Sequence, residues 1–416
     1  IPTPATGRSR LAKQASIMST SPTYHPMPTT IAEARGLFPG VEDQVYLNVS
    51  LNGLMPAPSR DGVLAHLEKR VMGQAVKEDL HAQAERVRAH VARLINAEAD
   101  EIAITKNVSE GLNIFAAGLD WRPGDNVVLC PELEHPNNVF LWYNLRESRG
   151  VEVREIPPED GHIPIDRLVE AMDERTRVAT VSHVTFSPGF VTDVAALAKE
   201  ARSRGVLTLI DSAQSAGSIQ TDVRTLGVDA LSIGTQKSLL AFYGLGFVYL
   251  QRELAEALHP VYVARYGMDL GPNAHETAIG DGALDFKAGA LRFELSNYNY
   301  IGLAAVEPSL ELIHTLGVDQ IEPHLRGLGA RLASGMLELG FPVAGGNPGP
   351  HLAHIVAVGE SGGGRHYSAD DPAMNELYQH LRDNRINLSI RRGILRMSIG
   401  LYNNEDDIDR AVSYTH

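Results

Sequence analysis

The sequence from position 207 to position 250 reads LTLIDSAQSAGSIQTDVRTLGVDALSIGTQKSLLAFYGLGFVYL. It holds three short apolar runs, separated by a connector of helix length and by a glycine-spaced turn, which predict strands of a parallel sheet. The runs cover 207–210, 230–233 and 247–250. Asp211 ends the first run, and Lys237 closely follows the second. Ligands of parallel sheets bind beyond the carboxyl ends of the strands, so both side chains are expected at one site.

An amine and a carboxylate at one sheet edge suit pyridoxal 5'-phosphate (PLP), with Lys237 forming the imine bond and Asp211 keeping the pyridine nitrogen protonated. Plainer interpretations exist, because most lysines lie on the surface and aspartate is a good helix N-cap. Lys237, however, follows an apolar strand among small residues, where partial desolvation makes an amine a usable nucleophile. The chain has only seven lysines to compare. The sequence therefore favours a PLP site.

The composition limits the class of protein. The 416 residues are 44% hydrophobic and 21% charged, enough for a large core and two domains. A net charge of −14 argues against nucleic-acid and anionic-membrane partners. Cys130 is the sole cysteine, so no intrachain disulfide forms and a reducing, cytoplasmic location is expected. No run has the length of a membrane span or the pattern of a secretory signal.

Strands and helices alternate through most of the chain. Strands are predicted at 126–130, 151–156, 178–184, 207–211, 230–234 and 246–250, with helices at 136–149, 165–173, 192–204 and 252–258. This alternation predicts an α/β fold with a mostly parallel sheet covered on both faces.

Near residue 315 the pattern changes to α+β. We expect 61–314 to form a large PLP-binding domain, and 29–60 together with 315–416 to form a smaller α+β domain. Residues 1–28 lack periodicity and are interpreted as an N-terminal arm or a cloning remnant. Outside the alternating region, one helix is predicted over 61–97, two helices over 318–339 and a strand over 351–358.

Three further positions suit a cofactor site, although each has a plainer interpretation. The stretch 105–111 joins a strand to a helix, and its backbone N–H groups would bind a phosphate or simply begin a capped helix. His135 would stack on a pyridine ring and shuttle protons, or be an ordinary loop residue. Arg396, between apolar neighbours on a strand, would bind a carboxylate or form a salt bridge.

Other cofactor motifs are missing from the sequence. The histidines have no spacing suited to zinc, so no metal is expected. There is no Walker loop, no dinucleotide-binding glycine fingerprint after a strand and no serine-hydrolase elbow.

Eight segments, taken in chain order, carry a resemblance to a known family. They are YLNVS (46–50), NVSEGLN (107–113), EHPNNVFLW (134–142), SHVTFSPG (182–189), IDSAQSAG (210–217), SIGTQK (232–237), RFELSNYN (292–299) and LRMSIGLYNNEDDID (395–409). From about residue 46 to the C-terminus, the chain resembles the class V aminotransferase group of fold-type I PLP enzymes. That group includes cysteine desulfurases, selenocysteine lyases, C–S lyases, kynureninase and isopenicillin N epimerase. The resemblance implies the fold-type I architecture, with a seven-stranded type of sheet, and does not specify one reaction.

The resemblance also implies roles for matching residues. Lys237 would carry PLP, Asp211 would pair with the pyridinium nitrogen, and Gln214 would donate to the ring hydroxyl. Ala213 and His135 would pack on opposite faces of the ring. The phosphate would be bound by Val108 (main chain), Ser109, Thr235 and Gln236.

Substrate and partner contacts follow in the same way. Arg396 would bind the substrate carboxylate, and Asn48 and Phe186 would line the substrate pocket. Asn297 matches the position from which one subunit reaches the phosphate of the other, so a homodimer with shared sites is implied.

Departures from the family pattern bear on the reaction. Desulfurases carry a mobile cysteine shortly before the arginine strand, whereas 390–393 reads IRRG here. Gln236 replaces a frequent histidine, Phe186 a frequent asparagine, and LSN at 295–297 the usual AGT. We therefore expect an α-amino acid substrate and a C–S lyase that performs β-elimination on an S-substituted cysteine in a specialised biosynthetic pathway.

Other outcomes remain open at this point. An aminotransferase, an epimerase or a decarboxylating deaminase of the same family is the alternative. A non-catalytic PLP-binding regulator is disfavoured because Lys237, Asp211 and Arg396 are all present, and because no helix-turn-helix or basic region is found.

Overall fold

The structure is a computed structural model that describes residues 25–271, 274–275, 277–280, 282–360, 363, 365 and 367–415. Most of the predicted N-terminal arm, residues 1–24, lies outside the described residues. Where the described chain begins, His25 Nε2 lies 2.8 Å from a carboxylate oxygen of Asp61, which ties the end of the arm to a helix.

The strands fall into three sheets. In chain order they are β1 (Val45–Tyr46), β2 (Ile102–Thr105), β3 (Asn126–Leu129), β4 (Glu152–Glu155), β5 (Thr176–Ser182), β6 (Leu207–Asp211), β7 (Ala230–Gly234), β8 (Gly246–Leu250), β9 (Ile355–Val358), β10 (Ile386–Asn387), β11 (Ser389–Arg391) and β12 (Ile394–Ser398). The largest sheet has seven strands in the order β2-β8-β7-β6-β5-β3-β4. The others are the pair β1-β10 and the three-stranded sheet β11-β12-β9.

The seven-stranded sheet is mostly parallel, which confirms the predicted α/β class. Strands β3 to β7 pair in parallel, whereas β8 is antiparallel to both β2 and β7. The prediction of a parallel strand at 247–250 is therefore wrong. The connection 235–245 holds no helix, and a parallel crossover needs about a dozen residues or more, usually with a helix. The chain reverses instead, and Lys237 lies in the reversal loop.

Helices cover both faces of this sheet. The α-helices span Ile31–Ala34, Ala57–Val71, Lys77–Ile95, Val108–Gly118, Phe140–Arg149, Ile165–Glu170, Val194–Ser203, Val223–Leu226, Arg252–Ala257, Tyr300–Leu316, Val318–Glu338, Pro372–Asp383 and Glu405–Ser413. Short 3-10 helices span Arg35–Leu37, Pro39–Val41, Ala99–Glu101, Pro136–Asn138, Arg265–Gly267 and Gly289–Phe293. Ile210 and Phe247 pack in one apolar cluster, while their neighbours Leu209 and Val248 pack in another. Burial on both faces explains why these strands are apolar without alternation.

Three predicted elements differ in the structure. The single helix predicted over 61–97 is two helices, because Gly73 takes a left-handed φ of 67° just after Val71 and ends the first one. The two helices predicted over 318–339 are one, Val318–Glu338, whose buried residues recur every three or four positions and form one continuous face. The strand predicted over 351–358 begins only at Ile355.

The small sheets bring the two ends of the chain together. Val45 and Tyr46 pair with Ile386 and Asn387, and Asn48 forms a bridge to Ser398. Helix Ala57–Val71 crosses the predicted boundary at 60/61, and helix Tyr300–Leu316 crosses the boundary at 314/315. The division into two domains therefore stays a prediction.

Within the described residues, no single helix is long and apolar enough to cross a membrane. The consecutive helices Tyr300–Leu316 and Val318–Glu338 pass such a test only as a pair, and they are bent by 83° at the break between them.

Candidate active site

A cavity of about 280 Å³ opens beyond the carboxyl ends of β5, β6 and β7. Its walls include Lys237, Asp211, Ala213, Gln214, Gln236, Val108, His135, Phe186 and Arg396. The structure thus brings together most of the residues that the sequence predicts for a PLP site. Ser109, Thr235, Asn48 and Asn297 are not among the wall residues.

Lys237 is a half-buried residue in the cavity wall. Burial lowers the pKa of its amine to about 8, against the opposing effect of Asp211 and with a further lowering by Arg396. An amine with such a pKa is partly neutral near pH 7, as a nucleophile must be. The N-terminal loop braces this segment, since Gly53 donates its N–H to the Gln236 carbonyl at 2.8 Å.

Asp211 ends β6 beneath the cavity, with only 4% of its surface exposed. Burial raises the pKa of its carboxyl, while the positive charge of Lys237 and a hydrogen bond from the Ala213 N–H act in the opposite direction. That N–H donates to Oδ1 at 2.8 Å, which fixes the carboxylate plane. A buried carboxylate beside an amine is suited to hold a protonated ring nitrogen.

The helix Val108–Gly118 begins at the cavity wall. Asn107 caps it, because its side-chain oxygen accepts a hydrogen bond from the Glu110 N–H at 2.9 Å. The first N–H groups of a helix have no partner within the helix, so this end is suited to bind a phosphate. Val108 lies in the wall, whereas Ser109 does not.

Thr235 uses its hydroxyl elsewhere. It donates to the carbonyl oxygens of Phe242 and Leu245, at 2.6 and 3.0 Å, and so braces the reversal loop from inside. The predicted phosphate-binding roles of Ser109 and Thr235 stay predictions.

Gln214 and His135 lie in the wall with different degrees of constraint. The Gln214 amide nitrogen donates to the Ser50 carbonyl at 3.4 Å, and its buried side-chain oxygen has no partner among the described residues. In this orientation the unpartnered Gln214 oxygen can only accept a hydrogen bond. Donation to a ring hydroxyl requires a flip of the side-chain amide, which exchanges its oxygen and nitrogen. His135 accepts a hydrogen bond from the Asn137 N–H at 3.2 Å and meets the Phe186 ring edge-on at 5.2 Å.

Arg396 is fully buried on β12. Its Nη1 donates to the Phe186 carbonyl at 3.0 Å, its Nε donates to the Ser389 hydroxyl at 3.3 Å, and its guanidinium stacks 4.6 Å from the Phe186 ring centre. Burial lowers the pKa of Arg396 to about 9, so it stays protonated at neutral pH. Its Nη2 is buried and has no partner within the described chain, which leaves it available to a substrate carboxylate.

Two predicted residues lie outside the cavity wall. Asn48 is buried and donates to the Asn387 side chain at 3.3 Å, while the following residues Ser50 and Leu51 line the cavity instead. Asn297 borders a separate cavity of about 450 Å³, where its side chain accepts from the Tyr266 hydroxyl at 3.2 Å. Their predicted roles stay predictions.

Sequence reasoning missed several wall residues. Arg391 and Tyr367 lie in the wall, and the arginine was recognised only as part of a stretch without cysteine. Ser389 lies opposite Arg396 in the structure, so Arg391, two residues further on, lies on the same face of the hairpin. Tyr243 also lines the cavity, and it was missed because it lies in the reversal loop. Loop residues have no periodicity from which the direction of a side chain can be predicted.

Glu134 was also missed, although it begins the segment EHPNNVFLW. It is buried, and it accepts hydrogen bonds from the Ser182 N–H and hydroxyl, each at 2.6 Å, and from the Asn138 amide at 2.9 Å. Burial raises the pKa of its carboxyl to about 7. Glu134 therefore ties the loop that carries His135 to the end of β5.

These residues fit PLP. The amine of Lys237, the buried carboxylate of Asp211, the side-chain amide of Gln214 and a helix N-terminus surround one cavity. In that order, they match the aldehyde, the pyridine nitrogen, the ring hydroxyl and the phosphate of PLP. When bound, PLP withdraws electrons from the α-carbon of an amino acid. Fold and site together define a PLP-dependent enzyme.

The comparison with protein families gives the same result. The model of the family "Aminotransferase class-V" matches residues 66–411. The chain therefore belongs to the class V aminotransferase family, and it is a PLP-dependent enzyme.

Two curated relatives illustrate the range of the family. A probable cysteine desulfurase of Methanothermobacter thermautotrophicus is 37% identical over 239 residues, which cover 57% of this chain and 57% of that protein. The match thus spans little more than half the length of that relative. An uncharacterised aminotransferase of Schizosaccharomyces pombe is 32% identical over 376 residues, 89% of this chain and 90% of the relative.

Solved structures share the fold at low identity. The apo structure of a cysteine desulfurase from Thermococcus onnurineus superimposes with a TM-score of 0.79 and 22% identity, over 94% of this chain and 98% of the other. The cystine C–S lyase C-DES, in complex with its reaction product cysteine persulfide, gives a TM-score of 0.80 and 22% identity, over 91% and 98% of the two chains. These matches confirm the predicted fold type.

Proposed function

We propose that the protein is a C–S lyase that releases a thiol from an S-substituted cysteine in a specialised biosynthetic pathway. The observation that carries this proposal is the state of its only cysteine. Cys130 is fully buried just after β3, and burial raises the pKa of its thiol to about 12. Such a thiol is not a nucleophile. The turn between β11 and β12, where the resemblance to desulfurases places a mobile cysteine, consists of Arg392 and Gly393.

Because no reactive cysteine is present to accept the sulfur of the substrate, the sulfur has to leave as a free thiol. In the proposed elimination, Arg396 binds the α-carboxylate of the substrate through its free Nη2. The amine of the substrate would replace Lys237 on PLP, and the freed amine of Lys237 would then take the proton from the α-carbon. A pKa near 8 suits this amine to both taking and returning a proton. Asp211 keeps the ring nitrogen protonated. The bond between the β-carbon and sulfur breaks with the electron pair leaving on sulfur, and addition of water then yields pyruvate and ammonia beside the thiol.

The comparisons support the proposal at the level of reaction type. Curated relatives include cysteine desulfurases, for example that of Dickeya dadantii, which is 29% identical over 358 residues. C-DES, which shares the fold, is described as a cystine C–S lyase. Both reactions break a carbon–sulfur bond of a cysteine derivative.

Transamination is the second candidate, because two relatives carry the name aminotransferase. They are uncharacterised proteins of Bacillus subtilis, 27% identical over 378 residues, and of Schizosaccharomyces pombe. Lys237, Asp211 and Arg396 would serve that reaction equally well. The products decide between the two, since a transaminase leaves the thioether intact.

The proposal is tested by incubating the PLP-loaded protein with S-methyl-L-cysteine and measuring pyruvate and methanethiol. We expect equal amounts of the two, and none from Lys237→Ala. Lys199→Ala, which removes an exposed lysine, is the matched control and should keep full activity. A 2-oxo acid that retains its methylthio group, or recovery of the D-isomer, would contradict the proposal.

A homodimer and a cytoplasmic location are also proposed. The position of Asn297 on a cavity distinct from that of Lys237, beside Lys106 and Glu110, is consistent with a contribution to a partner's site. Sedimentation of the PLP-loaded protein should give twice the 45.1 kDa mass of the chain. A monomer that retains PLP and activity would contradict the shared site.

A further inference from the structure

A second arginine lies in the candidate active site beside the one that the family pattern predicts. Arg391 lines the same cavity as Lys237 and Arg396, and only 3% of its surface is exposed. In the antiparallel pair β11-β12, Ser389 lies opposite Arg396 and Arg391 lies opposite Ile394. Residues two apart on a strand point to the same face, so both guanidinium groups belong to one face of this hairpin.

The hydrogen bonds of Arg391 leave part of its guanidinium free. Nη1 donates to the Ile390 carbonyl at 2.8 Å, and the group stacks 4.6 Å from the centre of the Tyr367 ring. Its Nε is buried and has no hydrogen-bond partner among the described residues. Among the residues that the structure describes, neither Arg391 nor Arg396 forms an ion pair with a carboxylate.

Cationic side chains outnumber acidic side chains in the cavity wall. Lys237, Arg391 and Arg396 supply three cationic side chains to its walls, and Asp211 supplies the one acidic side chain among them. Buried cations without a counter-charge are unfavourable, and two neighbouring guanidinium groups also repel each other. The phosphate of PLP would be bound at the start of the helix Val108–Gly118 and the α-carboxylate of an amino acid by Arg396, so neither of these anions is assigned to Arg391.

We propose that the substrate carries a second acidic group on its side chain and that Arg391 binds it. Taken with the proposed function, on which this inference rests, the substrate is a cysteine whose sulfur substituent ends in a carboxylate. Arg391 is then the residue that determines specificity. Its planar fork matches a carboxylate, and the Tyr367 ring beneath it limits the directions that the fork can take.

The test compares two compounds that differ in one charge. S-carboxymethyl-L-cysteine and S-carbamoylmethyl-L-cysteine have nearly the same shape, and each is titrated into the PLP-loaded protein while its visible absorbance is recorded. We expect the acid to half-saturate the spectral change at a concentration roughly tenfold or more below the amide, as a charge-assisted hydrogen bond implies.

Variants assign the difference to one side chain. Arg391→Gln should weaken binding of the acid to the level of the amide and leave the amide unchanged. Arg392→Gln removes the same charge from the adjacent exposed residue and should preserve the ratio. Arg391→Lys should retain part of the preference for the acid, and it keeps the test valid if the glutamine variant fails to fold.

Two results would overturn the inference while leaving the proposed function intact. One is equal binding of acid and amide by the unmodified protein. The other is an equal loss for both compounds in Arg391→Gln, which would mean that Arg391 serves the α-carboxylate or the cofactor. If neither conjugate changes the spectrum but other amino acids do, the proposed function is contradicted and the inference about Arg391 is still open to test. The pair aspartate and asparagine then tests Arg391 in the same way, and equal binding of these two overturns the inference as well.

Discussion

At the scale of single residues, burial shifts the acid and the base of the site in opposite directions. Desolvation disfavours charge, so it lowers the pKa of Lys237 and raises the pKa of Asp211. Each group offsets part of the shift of the other, because opposite charges attract. Burial outweighs this attraction, so the pKa of Lys237 stays lowered, at about 8, and the pKa of Asp211 stays raised.

The lysine pKa gives a prediction for cofactor loading. Only the neutral amine attacks the aldehyde of PLP, and the neutral fraction rises as the pH passes through about 8. The rate at which the apoprotein takes up PLP, followed by visible absorbance, should therefore increase about tenfold from pH 6.5 to pH 8. A rate that is flat over this interval would contradict the lowered pKa.

Glu134 makes the stability of the protein depend on pH. Its pKa is raised from 4.5 to about 7, so its contribution is fully present below pH 4.5 and is lost as the pH rises through 7. Glu134→Gln cannot ionise. The difference in unfolding free energy between this variant and the unmodified protein should therefore change with pH. From pH 5 to pH 8 it should shift by about 1 to 3 kcal/mol in favour of the variant, as measured by urea denaturation. Glu132→Gln, at an exposed neighbour, should show no such gain.

At the scale of elements, the loop between β7 and β8 connects the chemistry to the fold. It carries Lys237, it is braced from inside by Thr235, and it is pressed from outside by Gly53 of the N-terminal segment. A Cβ on Gly53 would lie 2.3 Å from the Lys237 carbonyl oxygen and 2.7 Å from a methyl group of Leu240. Only glycine permits this close approach.

Gly53→Ala should displace the reversal loop. We expect a loss of about 1 to 3 kcal/mol of stability, together with faster loss of PLP during dialysis, because the clash involves backbone at the lysine itself. Gly36→Ala is the matched control, since a Cβ there meets nothing within 4 Å. Equal PLP retention in the two variants would contradict this expectation, because it would mean that the loop accommodates the Cβ without displacing Lys237.

The elements also show which features are readable from sequence. Apolar runs ending in Asp211 and preceding Lys237 predicted the strands β6 and β7 and the common edge, because strands buried on both faces are apolar throughout. The apolar run of β8 does not show its direction, since such a run has the same appearance in either direction, whereas the short connection 235–245 was a signal of reversal. Arg391 was missed for a related reason, because the role of a residue on a short hairpin depends on register.

At the scale of the molecule, a buried ion pair joins three parts of the chain. Arg88, from the helix Lys77–Ile95, lies 2.7 Å from Glu294, and each side chain is 1% exposed. Glu294 also accepts hydrogen bonds from the Ile104 N–H at 2.8 Å and the Tyr298 hydroxyl at 2.6 Å. This network holds β2 and the segment RFELSNYN in one arrangement.

Arg88→Met should therefore destabilise the protein strongly. Removing one partner leaves a buried, unpaired carboxylate, so we expect a loss of about 3 to 5 kcal/mol in unfolding free energy. Arg146→Met breaks the exposed pair with Glu147, whose side chains are 47% and 76% exposed, and should cost at most about 1 kcal/mol. Similar midpoints of urea unfolding for both variants would contradict this assignment.

The sequence predicted the molecule best where local chemistry decides the structure. The sheet, the cofactor and the cavity residues Lys237, Asp211 and Arg396 followed from apolar runs, turns and charged positions. The roles of Ala213, Gln214 and Phe186 were implied only by the family resemblance. The place of Asn297 and the end of the cavity near Tyr367 depend on contacts between distant segments, and no local pattern specifies those contacts.

The proposed function requires that Lys237 carries PLP. Treating the loaded protein with borohydride fixes the cofactor to its lysine, and peptide mass spectrometry then identifies which of the seven lysines is modified. We expect modification of Lys237 alone, at close to one PLP per chain, and no modification in Lys237→Ala. Cofactor fixed to another lysine, or spread over several, would contradict it.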